Sequence, residues 1–74
     1  MNHEIELLDV VALTEDSPHH QLTRGQVGTV VEVLEPALFE VEFSDDQGRT
    51  YAIASLHSDQ LMLLHYRPAD THRA

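Results

Sequence analysis

Residues 24–34 read RGQVGTVVEVL and residues 38–43 read LFEVEF, and these two stretches decide the fold. The second alternates between apolar and acidic side chains, which is typical of a strand with one buried face. The first is rich in β-branched residues and also predicts a strand. Gly28 within it indicates a bulge or a close backbone approach, and Pro36 ends the strand. The stretches together predict a β-hairpin whose buried positions include Phe39, Val41 and Phe43.

Strands are also predicted on either side of this hairpin. A partly β-branched apolar run predicts a first strand at about residues 5–13. A polar loop follows over residues 14–21, with Leu22 as its apolar anchor. Gly25 and Gly48 are expected to adopt positive φ angles at turns. The remaining predicted elements are a turn at 44–48, a strand at 49–56, a single 3-10 turn at 57–60 and a last strand at 61–64.

The order of these elements predicts an all-β fold, a small five-stranded SH3-like barrel. It has a long loop after the first strand and a short 3-10 turn before the last. An open sheet of this size leaves edges and one face in water, and closure into a barrel avoids this. A small open β-sheet or an α+β fold is the alternative. The domain is expected to span residues 1–66, followed by a flexible tail over residues 67–74.

Several short motifs between Val10 and Leu64 point to a known family. Most of the similarity lies in residues 11–16 (VALTED), 24–31 (RGQVGTVV) and 40–43 (EVEF). The other matching residues are Leu22, Asp46, Gly48, Arg49, Thr50, Asp59, Gln60 and Leu61. In these residues the chain resembles the DUF4926 family of short, uncharacterised bacterial proteins. The resemblance implies the fold class and brings no established activity.

A second, shorter similarity concerns a nucleic-acid-binding class. The Gly-x-Val-Gly-x-Val pattern that starts at Gly25 is similar to the turn and strand of KOW-type domains. The basic residues that such domains use on RNA are missing here. The RNA binding of KOW-type domains is therefore not expected of this chain.

The composition excludes further classes of function. Thirteen acidic residues face four arginines, lysine is absent, and the formal net charge is −9. Binding to nucleic acid or to an anionic membrane needs a basic surface, so neither partner is expected. Cysteine is absent, which excludes disulfides and thiolate chemistry. No apolar run approaches the roughly 18 residues of a membrane-spanning helix, and no signal segment is visible, so a cytoplasmic location is expected.

The hairpin is expected to bring acidic residues together. If the turn between residues 34 and 38 closes symmetrically, Glu32 lies opposite Glu40, and both point outward beside Glu42. Like charges in this position destabilise a sheet by a few tenths of a kcal/mol. Three interpretations stay open: a docking face for a basic partner, a weak divalent-cation site, or a solvated face that keeps the protein soluble.

The candidate partner-binding residues extend beyond these three glutamates. The long loop contributes Glu15, Asp16 and His20, and Tyr51 lies on the strand after the hairpin. A proline-peptide groove or a methyl-lysine cage needs several surface aromatic residues. The two phenylalanines belong to the core by alternation, and tryptophan is absent. A protein partner with a basic or mixed surface is therefore expected instead.

No metal, cofactor or catalytic site is expected. His19 and His20 are adjacent, whereas histidine ligand pairs usually lie two or four residues apart. His57 and Asp59 have a suitable spacing, but no third ligand is evident. The sequence contains neither a nucleophile elbow nor a phosphate-binding loop, and a barrel of this size is filled by its own side chains. These features predict a non-catalytic protein.

Apolar residues occupy both alternating sets in the valine-rich strands and in residues 61–64. Because a barrel interior accepts only one set, Val30, Leu34, Leu38 and Met62 are expected outside the core. Those that stay uncovered form a patch for self-association or for a partner. A homo-oligomer is therefore an open alternative to a monomer, since small domains often need added contacts.

These observations together predict a non-catalytic protein-interaction module. Two other roles stay open. An antitoxin or immunity-type protein that neutralises a basic protein agrees with the charge. An accessory or assembly subunit of a larger enzyme agrees with the fold, because such barrels are found in many assemblies.

Overall fold

The structure is a computed structural model that describes residues 5–65. Its strands are β1 (Val10–Leu13), β2 (Val27–Glu35), β3 (Leu38–Ser44), β4 (Thr50–His57) and β5 (Leu61–Leu63). Two 3-10 turns, Pro18–His20 and Ser58–Gln60, accompany them. The predicted boundary between a domain ending at residue 66 and a tail of residues 67–74 lies outside the described residues.

The five strands form one antiparallel sheet in the order β4-β3-β2-β1-β5. The predicted all-β class, the five strands, the long loop after the first strand and the 3-10 turn before the last are confirmed. Among residues 5–65, no ladder joins β4 to β5. No helix of the described residues is long and apolar enough to cross a membrane.

The core follows the alternation of β3. Phe39, Val41 and Phe43 are buried, while the residues between them are partly exposed. Leu22 is also buried, which confirms it as the apolar anchor of the long loop. The buried cluster consists of Val11, Leu13, Leu22, Val30, Phe39, Val41, Phe43, Ala54, Leu56 and Leu61. It receives side chains from every strand and from the loop, so one core holds the described chain together.

Val30 lies in this core, and the prediction that it lies outside is wrong. Its side chain is 0% exposed, and it pairs with Val41 of β3. Gly28, two residues earlier on the same face, has no Cβ, and a Cβ there would lie 2.7 Å from Val41 Cγ1. The missing side chain lets the backbone of β2 lie close to β3 at Gly28. Gly28 and Val30 therefore face the core, and Val27 is exposed. The other three residues are outside the buried core, as predicted: Leu34, Leu38 and Met62.

The first strand is shorter than predicted, because it begins at Val10 and not near residue 5. A turn precedes it, in which the Asp9 carboxylate accepts the Glu6 N–H at 2.7 Å and Leu8 has a φ of +73°. Ile5 nevertheless packs against the core. Ile5 therefore covers part of the core without continuing the strand, whereas Leu7 and Leu8 are exposed.

Candidate functional site

The outward face of β2, β3 and β4 is where the predicted acidic residues meet. The register places Glu32 directly opposite Glu40, as predicted. Glu42 lies two residues further along β3 and therefore shares the face of Glu40. Thr29 of β2 and Ile53 of β4 are the cross-strand neighbours of Glu42. Residues in such positions have Cβ atoms roughly 5 Å apart, so the glutamates form one continuous surface.

A fourth glutamate joins this surface because β2 is irregular. Its register shifts once between Val30 and Glu32 and again between Val33 and Glu35. Each shift adds one residue without a partner, so Glu35 pairs with Leu38 and lies on the face of Glu32. Strict alternation from Glu32 places Glu35 on the opposite face, which is why sequence reasoning missed it. The acidic face consists of these four glutamates, Glu32, Glu35, Glu40 and Glu42.

Hydroxyl groups of β4 hold the two glutamates of β3. Thr50 Oγ1 donates to Glu42 Oε2 at 2.6 Å, and Ser55 Oγ donates to Glu40 Oε1 at 3.5 Å. The salt bridge found among residues 5–65 lies elsewhere, in the turn between β3 and β4, where Arg49 Nε is 3.3 Å from Asp45 Oδ2. Within the described residues the acidic face thus has no paired cation, and its negative charge is directed to solvent.

Apolar side chains lie beside these charges. Ile53, the neighbour of Glu42, is 55% exposed. Leu38 is half-buried at the other end of the face, where it pairs with His57. The surface thus carries an apolar side chain near each of its ends, among the four glutamates.

Tyr51 is turned away from the acidic face. The register of β3 and β4 shifts between Phe43 and Ser44, which leaves Tyr51 as the extra residue of β4. Its ring lies 6.4 Å from the ring of the core residue Phe43, and its hydroxyl accepts a hydrogen bond from Gln26 Nε2 at 3.0 Å. The side chain is 48% exposed, so it lies at the end of the core and does not line the surface of Glu40 and Glu42.

The three candidate residues of the long loop bond within that loop or to the turn before β5. Among residues 5–65, no hydrogen bond links them to the acidic face. Their partners are as follows: Asp16 Oδ1 accepts the Arg24 N–H at 2.8 Å, His20 Nδ1 lies 2.8 Å from Ser17 Oγ, and Glu15 Oε2 accepts from Gln60 Nε2 at 3.4 Å. These contacts shape the loop, and they form a second surface separate from the four glutamates.

A shallow, open depression lies between the long loop and β5. Its lining includes apolar atoms of Ala12 and Met62 and polar groups of Thr14, Asp16 and Arg24. In the part of the chain that the structure describes, no three histidine, aspartate or glutamate side chains are arranged to hold a metal ion. The depression is thus lined by both apolar and polar residues and holds no such cluster.

A family model covers most of the described residues. The model described as Domain of unknown function (DUF4926) matches residues 7–63, which confirms the resemblance found in the sequence. No curated protein matches the chain, and no solved structure matches it. The match assigns a family, and that family is described without an activity.

Proposed function

The chain belongs to the DUF4926 family, and we propose that it is a non-catalytic protein-interaction module that binds through its acidic face. One observation carries this proposal. Four glutamates share one face of the sheet with the exposed Ile53, and within residues 5–65 no cation is paired with them. A face of this composition favours a partner with complementary charge.

The expected partner presents lysine or arginine side chains around an apolar centre. Complementary charge speeds the encounter and fixes the orientation of the two proteins. Each solvent-exposed ion pair contributes about 1 kcal/mol or less, so the affinity depends on several pairs together and on the apolar contact with Ile53. Salt screens such pairs, and we therefore expect the affinity to fall as ionic strength rises.

The identity of the partner separates three versions of this role. The net charge of −9 supports a neutraliser of a basic protein. An accessory subunit binds instead to other subunits of an enzyme. A general interaction module binds neither class exclusively. All three use the same surface, so one set of variants tests them together.

Affinity capture from the cell of origin tests the proposal. We compare the wild-type protein with a variant in which Glu32, Glu40 and Glu42 are replaced by glutamine. The control replaces three acids outside the face, as Glu6→Gln, Asp46→Asn and Asp59→Asn, and therefore has the same net charge. We expect the wild type and the control to retain the same partner and the face variant to lose it, with all three proteins folded by circular dichroism.

Two results would contradict the proposal. If the face variant retains the partner as well as the control does, the surface lies elsewhere. If the control loses as much partner as the face variant, only the net charge matters and the acidic face has no special role. The captured protein is then titrated in increasing salt, where an affinity independent of salt would also contradict charge complementarity.

A further inference from the structure

The described sheet has three free edges, and two of them are protected. β5 is only three residues long, and a very short edge strand is a poor template for another strand. On the side of β1, the last hydrogen bonds of β2 are those of Val30 with Leu8 and Asp9. The second half of β2 extends beyond them and forms the third edge. It is interrupted by two register shifts and carries Glu32 and Glu35, and bulges and charges also discourage pairing.

The edge formed by β4 lacks these protections. β4 is the last strand in the sheet order and has eight residues, Thr50–His57. Within it there is no proline, lysine, arginine, aspartate or glutamate. Its single register shift lies near its N-terminal end, at Tyr51. The segment from Ala52 onward is therefore regular. An uninterrupted edge of this kind accepts a further strand.

The hydrogen bonds show which backbone groups of β4 are free. The Ser58 N–H donates to the Ala37 carbonyl at 2.9 Å. Hydrogen-bonded pairs alternate along an antiparallel ladder, so Leu56, Ala54 and Ala52 direct their N–H and C=O groups toward β3. The N–H and C=O groups of Ile53 and Ser55 therefore point to the free edge, where they can form hydrogen bonds with an added strand.

The side chains beside these free groups define what can pair. Ile53 and Ser55 both lie on the outward face, next to Glu42 and Glu40 respectively. A strand added to β4 lies about 10 Å from β3, which is two inter-strand spacings. A long basic side chain opposite Ser55 can cross this small residue toward Glu40, while an apolar side chain opposite Ile53 covers its exposed surface.

We propose that β4 binds an extended segment of another protein by strand addition, and that this segment carries a basic and an apolar residue two positions apart. This proposal rests on the proposed function and specifies the mode of binding to the same surface. The main-chain hydrogen bonds of Ile53 and Ser55 supply affinity, and the pattern basic-x-apolar supplies specificity.

A second copy of this chain is a poorer occupant of the edge. β4 contains no lysine or arginine, so its own strand offers no cation to Glu40 or Glu42. Each copy also carries a formal charge of −9, and like charges on two copies oppose their association. A basic segment satisfies both the free backbone groups and the unpaired glutamates.

Hydrogen exchange with a synthetic peptide tests this inference. The probe is an acetylated and amidated eight-residue peptide with the repeat Lys-Thr-Val-Thr. The control peptide has the same side chains, and every second backbone nitrogen is methylated, in two versions that cover both alternating sets. We expect the probe to bind saturably and to slow exchange of the Ile53 and Ser55 amides at least tenfold, and one or both methylated peptides to lose this effect.

Protein variants provide an independent arm. Ser55→Pro removes an N–H that faces away from β3, and proline is tolerated at such edge positions. Ser55→Lys keeps the N–H and places a like charge beside the basic segment. Both variants are expected to weaken binding of the probe at least tenfold, and Ser55→Lys remains a test if the proline variant does not fold. Binding that survives Ser55→Lys unchanged would overturn strand addition.

The outcomes distinguish this inference from the proposed function. If both methylated peptides bind as tightly as the probe, and the binding depends on the acidic face without protection of Ile53 and Ser55, strand addition is wrong and the proposed function stands. If the probe does not bind, the inference is wrong, and affinity capture decides the function separately. If the two amides are already protected without peptide, increasingly so at higher protein concentration, a second copy occupies the edge and the inference is wrong.

Discussion

At Gly28 the backbone of β2 passes so close to β3 that a side chain has no room. A Cβ at this position would lie 2.7 Å from Val41 Cγ1 and 2.9 Å from the Glu42 carbonyl oxygen. The backbone oxygen belongs to a paired strand and cannot move without disturbing the ladder. The glycine therefore serves packing and not a turn, and it determines which face of β2 enters the core.

Gly28→Ala is expected to destabilise the protein by about 1–3 kcal/mol, the usual cost of overpacking a core. Urea unfolding at equilibrium measures this change in the free energy of unfolding. Thr29→Ala is the matched control, because it alters the next residue on the outward face and should cost less than about 1 kcal/mol. Equal stability of Gly28→Ala and the wild type would show that the two strands are further apart than described.

Asp45 organises the turn between β3 and β4. Its Oδ1 accepts the N–H groups of Arg49 and Gln47, each at 2.9 Å. The hydrogen bond from the Arg49 N–H, followed by that from Gln47, holds the pKa of the Asp45 carboxyl below its ordinary value. Gly48, with a φ of +82°, completes the turn as predicted from the sequence.

The lowered pKa of Asp45 gives stability a pH dependence of known sign. A depressed pKa in the folded state stabilises the protein above the unfolded pKa of about 3.9, and this stabilisation is lost as pH falls through the folded value. Asp45→Asn is therefore expected to lower stability at neutral pH, and its difference from the wild type should shrink in acid. Urea unfolding between neutral and acidic pH measures this.

The neighbouring variant Asp46→Asn serves as the control for that pH series. Within residues 5–65 the Asp46 carboxylate accepts no hydrogen bond. Its replacement should therefore leave the free energy of unfolding at neutral pH nearly unchanged. A difference between Asp45→Asn and the wild type that stays constant across the pH range would contradict the role given to the carboxylate.

At the scale of elements, register shifts decide which side chains meet. The shifts in β2 bring Glu35 to the acidic face, and the shift in β4 turns Tyr51 toward Phe43. Glu32 does lie opposite Glu40 as predicted, but the symmetric closure between residues 34 and 38 on which that prediction rested does not occur. The hairpin closes at Glu35 and Leu38, and the shift between Val33 and Glu35 brings Glu32 opposite Glu40. The sequence does not indicate these shifts, since an extra residue in a strand depends on contacts with the neighbouring strands and leaves no period in the sequence.

The Glu32–Glu40 pair is expected to cost stability in the isolated protein. Replacing Glu32 by glutamine should stabilise the protein by a few tenths of a kcal/mol, because like charges directly opposite each other repel. A double-mutant cycle with Glu40→Gln, measured by urea unfolding, isolates the pair. The two gains should add to more than the gain of the double variant. Strict additivity, at low salt as well as high, would show that the charges do not interact.

For the whole molecule, charge and sheet edges matter more than any single contact. The formal charge of −9 on 74 residues destabilises the compact state through self-repulsion. Raising the sodium chloride concentration from about 0.01 M to about 0.1 M shortens the screening length from about 30 Å to about 10 Å. The melting temperature should therefore rise over this range, as measured by circular dichroism.

A variant with all four glutamates of the acidic face replaced by glutamine provides the comparison for the salt series. Its melting temperature at low salt should be higher than that of the wild type, and its increase with salt should be smaller. A melting temperature that falls or stays level as salt is added to the wild type would mean that attractive pairs outweigh the repulsion.

The sequence by itself determined the all-β class, the glycine turns and the buried face of β3. These features follow from local rules, because the two-residue period and the turn residues are written in neighbouring positions. The tertiary structure alone decided that Val30 enters the core, that Tyr51 leaves the acidic face and that Glu35 joins it. Each of these depends on how closely two strands approach and where their register shifts, and both are set by packing between residues distant in the chain.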